Sequence, residues 1–116
     1  MPDAISQAEN LLVELYQQGG TVQTLVTGNT INTNYNSVRV SSAGAITGVI
    51  MTIGVKAGQL CAVICEQAAA NTFTMAAAGT SNVAAGATCV LSGLAAHLFA
   101  WDATTALWYQ VGPAIN

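Results

Sequence analysis

Ser37-Val38-Arg39-Val40-Ser41 alternates polar with apolar residues, and Leu60-Cys61-Ala62-Val63-Ile64-Cys65 follows downstream as an unbroken apolar run. The first pattern fits a strand with one face in a core. The second fits a strand in the middle of a sheet, apolar on both sides. Working outward, Val49, Met51, Ile53 and Val55 line one side of an intervening strand. Phe73 and Met75 alternate with Thr72 and Thr74, and Leu98 to Trp101 and Leu107 to Val111 close the series. Turn residues separate these runs, at Gly28-Asn29, Asn34 to Asn36, Gly44, Gly54, Gly58, Asn71, Gly79, Gly86, Gly93 and Gly112-Pro113. Short strands so spaced predict a mainly β fold, an antiparallel β-sandwich or barrel-like domain over residues 21–116.

Upstream of Gly20 the period is helical. Ile5, Ala8, Leu12 and Leu15 share one side, with Gln7, Asn10, Glu14 and Gln17 opposite. Asp3 or Ser6 supplies an N-cap, the latter with Glu9 as a capping box, and Gly19-Gly20 supplies the stop. Residues 1–20 therefore read as an N-terminal amphipathic helix or arm ending in a Gly-Gly hinge. A helix this short is marginal alone in water, so its apolar side needs a partner surface. Ile5, Leu12, Leu15 and Tyr16 are candidate interface residues, expected to make lattice or intersubunit contacts.

Hydrophobic residues make up 53% of the chain and charged residues only 6%, against about 25% in ordinary soluble domains. Thr47 and Thr52 interrupt Ile46–Val55 and His97 interrupts Leu94–Trp101, so no window offers the roughly 20 apolar residues of a membrane span. A surface with so little charge is suited to being covered, which predicts a homo-oligomer. Two cations, Arg39 and Lys56, and a net charge of −3 leave no footprint for nucleic acid or anionic lipid. Met1-Pro2-Asp3-Ala4 lacks a secretory n-region, so synthesis in a host cytoplasm is expected.

The inventory for chemistry is thin. Cys61 and Cys65 would lie about 13 Å apart along a strand at ~3.3 Å per residue, too far for a disulfide, and with Cys89 they read as buried apolar residues. A Cys89, His97, Asp102 set holds the parts of a nucleophilic site, yet His97 and Asp102 project from opposite faces of a strand. Glu66 with Asp102 is the carboxylate pair left for glycoside hydrolysis. No metal spacing, phosphate loop or cofactor motif occurs, and the chain is not expected to be an enzyme. Trp101, Trp108 and Tyr109 complete the interface candidates, as structural anchors or a sugar-stacking platform. Residues 68–75, 76–83 and 84–91 also form a weak eight-residue repeat with Thr72, Thr80 and Thr88 in register.

Gly58-Gln59 opening Leu60 to Cys65, then Asn71 to Thr74, Ala85-Gly86, Ala96 to Asp102 and Leu107 to Val111, resembles small β-rich virion modules of tailed bacteriophages. These include head decoration (cement) proteins and head- or tail-fibre modules. The resemblance covers about residues 45–111 and omits the N-terminal helix. It implies a homotrimer on the outer capsid surface of a virion, with copies of itself and the major capsid protein as partners. The chain is short for a fibre with its own shaft, which favours decoration. A receptor-binding or fibre-attachment module, with Trp108 and Tyr109 meeting sugar, is the alternative.

Overall fold

The computed structural model describes residues 21–112, so the helix expected over residues 3–18 and its contacts lie outside the described residues. Nine short strands follow in order: β1 (Gln23–Thr24), β2 (Thr30–Ile31), β3 (Ser37–Ser41), β4 (Ile46–Met51), β5 (Leu60–Cys65), β6 (Phe73–Met75), β7 (Val90–Leu91), β8 (Ala95–Asp102) and β9 (Leu107–Gln110). A 3₁₀ turn, Gly86–Thr88, precedes β7. The described protein is mainly β, as its alternating pattern predicts.

The strands form two sheets, ordered β1-β3-β5-β8-β9 and β2-β4-β6-β7. From β1 to β6 the chain crosses from one sheet to the other at each step. Each strand then lies parallel to the one two places earlier, with Gln23 beside Val40 and Val40 beside Cys65. In the second sheet Thr30 lies beside Ile50 and Ile46 beside Phe73. Only β7, β8 and β9 run antiparallel to their neighbours. The expectation of an antiparallel fold is corrected accordingly: the sheets are mixed, because crossing between sheets returns the chain in the same direction, whereas hairpins would reverse it.

The apolar run placed β5 at the centre of its sheet, where it pairs with β3 and β8. Cys61, Val63 and Cys65 of β5 join Val38, Val40, Phe99, Phe73, Met75 and Leu91 in one core fed by both sheets. At about 25 cal/mol per Å² such apolar burial is the main favourable term in folding. The other face of β5 is less deeply buried. Ala62 and Ile64 are half-buried and Leu60 is exposed.

Two further expectations change. The strand drawn through Ile53 and Val55 stops at Met51, leaving those residues 65% and 79% exposed. Gly54 sits against the Trp101 ring, where a Cβ would fall 2.1 Å from Cγ, and this close approach turns the backbone out of the sheet. The eight-residue repeat is not structural: its copies contain β6, an irregular loop, and the 3₁₀ turn with β7.

Candidate interaction surface

One end of the domain is built from the 33–36 loop, the 53–60 loop and the turn after β8. Trp101 and Trp108 stand beneath it. Their rings meet edge to face with centroids 5.4 Å apart and planes at 62°, a favoured aromatic geometry. Trp108 is fully buried and donates its indole N–H to the Thr52 carbonyl at 2.7 Å. Its backbone N–H donates to Asn82 O, its carbonyl accepts from Ala84 N–H, and a parallel bridge joins it to Val83. The Asn82 side chain donates to Met51 O at 2.7 Å. Residues 81–84 thereby stitch β9 of one sheet to β4 of the other.

Above the two rings, Gln59 ties the loops together, its Oε1 accepting from Val55 N–H at 2.6 Å and its Nε2 donating to Thr33 O at 3.3 Å. Thr33 N–H donates to Thr52 Oγ1 at 2.8 Å. Gly58 N–H donates to Trp101 O and Trp101 N–H to Gln59 O. Across the end, Asp102 folds its own turn, accepting from Thr104 N–H and the Thr105 hydroxyl, both at 3.0 Å. These bonds hold in place a row of exposed apolar residues: Tyr35 at 51%, Ile53 at 65%, Val55 at 79% and Leu60 at 47%. Beside them an open groove of about 460 Å³ is lined by Asn34, Asn36, Lys56 and Gly58, with Val55, Gln59 and Leu60. Pattern reading missed this surface by assigning Ile53 and Val55 to a strand; the only local signal was Gly54 together with Gly58.

Of the C-terminal interface candidates, Trp101 and Trp108 belong to the core and only Tyr109 is exposed. Tyr109 donates its hydroxyl to Thr105 Oγ1 at 3.2 Å. A sugar platform on Trp108 is thereby ruled out by burial. Ile5, Leu12, Leu15 and Tyr16 lie outside the described residues.

The nucleophilic set comes apart as the strand period requires. His97 faces the core and Asp102 the other side of β8. The structure instead inserts Gln110 between Cys89 and His97. Its Oε1 accepts from the Cys89 thiol at 3.5 Å and its Nε2 lies 3.3 Å from His97 Nδ1, while His97 Nε2 lies 3.2 Å from Ser92 O. An amide donor at Nδ1 and a carbonyl at Nε2 select the neutral Nε2–H tautomer. Burial lowers the His97 pKa, opposed by the Ser92 bond, and burial pushes the Cys89 thiol up. A neutral imidazole shielded from a protonated thiol is a packed polar network, opposite in sense to an activated nucleophile.

Glu66 and Asp102 fare no better as a catalytic pair. Cys65 lies opposite Ala95 in the register, so Glu66 and Asp102 sit at opposite ends of the sheet, more than about 20 Å apart along the strand. Glycosidases hold their carboxyls within roughly 10 Å. Glu66 pairs bidentately with Arg39, whose guanidinium holds its carboxyl below the usual range. Among the described residues no group of His, Cys, Asp and Glu is placed to hold a metal ion, and no helix is long and apolar enough to cross a membrane. Compared with known proteins, the chain matches no family model, no curated protein and no solved structure.

Proposed function

We propose that this protein is a structural component of a virus particle, a capsid decoration protein that binds the outside of a bacteriophage head as a homotrimer. In this reading its two sheets stack as a sandwich and its rigid end meets the shell. The observation that carries the proposal is the surface. The described residues hold four ionised side chains, Arg39, Lys56, Glu66 and Asp102, and two of these neutralise each other. Beside them a braced end exposes Tyr35, Ile53, Val55 and Leu60. Apolar groups fixed in place by hydrogen bonds lose little entropy on association, which favours a permanent contact. Of the segments that carry the phage resemblance, those in β5, β8 and β9 are neighbours in one sheet, while Asn71 to Thr74 enters β6 of the other. A ligand that binds the assembled lattice and not its free subunits stabilises that lattice by mass action.

A second reading, a receptor-binding module, draws on the groove beside Lys56, whose amide side chains suit a polar ligand. The two separate on one experiment. Added to heads that lack it, a decoration protein raises their resistance to heat, and Val55→Glu abolishes the gain. Retention on host glycan with no effect on head stability overturns decoration in favour of receptor binding. A clean 11.8 kDa monomer at micromolar concentration overturns the oligomer.

A further inference from the structure

One exposed side chain stands between two buried titratable groups. His97 is 1% exposed and Cys89 3%, whereas Gln110 is an exposed residue at the end of β9 whose amide reaches both. Its Oε1 takes the Cys89 thiol at 3.5 Å and its Nε2 meets His97 Nδ1 at 3.3 Å. The two ends of an amide are opposite in kind, one an acceptor and the other a donor. The two bonds therefore cannot be set independently. Ser92 fixes the far side of the ring, because its carbonyl, 3.2 Å from Nε2, only accepts and holds the first ring proton there. A second proton has only Nδ1 to go to, and at Nδ1 it meets an amide N–H that cannot accept it.

We infer that the Gln110 amide is a two-position rotor that couples the protonation of His97 to the hydrogen bonding of Cys89. With the ring neutral, Nε2 donates to Nδ1 and the Cys89 thiol donates to Oε1. When the ring takes its second proton, rotation of the amide about its last side-chain bond lets Oε1 accept from Nδ1–H and turns Nε2 toward the Cys89 sulfur. Two atoms of similar size exchange places, so no strand has to move. The thiol then loses its acceptor and faces a donor with a cation behind it, and both changes favour the thiolate. Nothing else nearby competes for this role. Val63 stands opposite His97 on β5, with Cys61 and Cys65 on either side of it in the core, their thiols held protonated by burial. The buried residues of the second sheet are apolar. Arg39 and Glu66 pair with each other, half-exposed, outside the core, Tyr109 is exposed, and Asp102 and Lys56 lie at the far end of β8 and in the loop beside it. Burial lowers the proton affinity of the ring, so the rotation belongs to acidic solution. It holds under either functional reading.

Alkylation of the native full-length protein by iodoacetamide tests this, read cysteine by cysteine from peptide masses at pH values spanning the His97 titration, itself followed by the NMR signals of the ring. The thiolate is the nucleophile, so the rate at an uncoupled thiol falls about tenfold per unit of pH below its own titration. At Cys89 the fall should become shallower below the His97 midpoint and leave the rate roughly tenfold above the extrapolated line, an ordinary size for coupling between two sites. Gln110→Met keeps the length of the side chain without its amide. It should restore a single slope while His97 still titrates, and Gln110→Leu serves should that variant fail to fold. An unbroken slope in the parent overturns the inference. So does a break that survives loss of the amide, which would make the ring charge alone the cause, and so does a break shared by Cys61 and Cys65, which would mean general opening in acid.

Discussion

Replacing Trp108 measures how much the closed end of the domain rests on one side chain. Trp108 is 0% exposed, stacks edge to face on Trp101, and donates to Thr52 O. Truncating a buried Trp to Ala costs about 3–5 kcal/mol, a range that already contains the ~0.5–1.5 kcal/mol of the aromatic pair. The Thr52 carbonyl keeps a second donor, the Thr33 hydroxyl at 3.1 Å, so the lost indole bond adds only the net worth of one hydrogen bond, about 0.5–1.5 kcal/mol. Trp108→Phe keeps a six-membered ring and loses the N–H, so about 0.5–1.5 kcal/mol is expected from the lost hydrogen bond alone, with the volume lost from the core adding to it. Domains of this size have about 5–15 kcal/mol in total, and each kcal/mol lost moves Tm by roughly 4–8 °C. Urea unfolding followed by far-UV circular dichroism gives both values from the midpoint at constant slope. A Trp108→Ala protein within about 0.5 kcal/mol of the parent, the range of an ordinary surface substitution, would refute the placement of Trp108 in the core.

Other outcomes follow from the same contacts. His97, buried and neutral, has a pKa below its ordinary 6.5, so the unfolded chain binds more protons as pH falls. Stability should be full above that value and decline below it, with Glu66 adding to the loss at lower pH; urea midpoints across the range check this, and His97→Gln should flatten the first part. Burial pushes the Cys61 and Cys65 thiols up to about 12 from an ordinary 9.0. That sign is reversed: stability should fall as pH rises above 9.0, and a thiol reagent should label both residues quickly only in denaturant. Gly54→Ala should cost about 1–3 kcal/mol, as overpacking does, and should alter the near-UV spectrum of Trp101, whose ring must move.

Local alternation made much of the core legible. Val38 and Val40, Phe73 and Met75, and Phe99 and Trp101 all point inward as their spacing requires. Alternation fails where a tertiary contact diverts the backbone. Ile53 and Val55 continue the apolar rhythm of β4, but the indole of Trp108 takes the Thr52 carbonyl and Gly54 yields to the Trp101 ring. The separation of His97 from Asp102 could be read from parity alone. The insertion of Gln110 between His97 and Cys89 could not, because it depends on β9 lying beside β8 and on the turn before β7. Gln67 escaped notice for the same reason. It is buried with no hydrogen-bond partner for its amide among the described residues, and its side chain opposes the upward push of burial on the Cys65 thiol.

Strand direction was beyond reach because a period of two is the same for parallel and antiparallel pairing. Only the destination of each connection decides it, and the connections here carry the chain to the opposite sheet. That path bears on how copies can meet. Exposed sheet edges are the usual route to strand-by-strand association, but β1, β2 and β7 are each two residues long. The outer edge of β9 is taken by Asn82 and Ala84 at Trp108. With edges this short or occupied, the described residues leave side chains rather than open strands for any association. The braced end around Val55 is an exposed apolar area suited to it. Val55→Glu, which places a charge on that area without touching the core, should therefore lower any self-association seen by light scattering while leaving the circular dichroism unchanged.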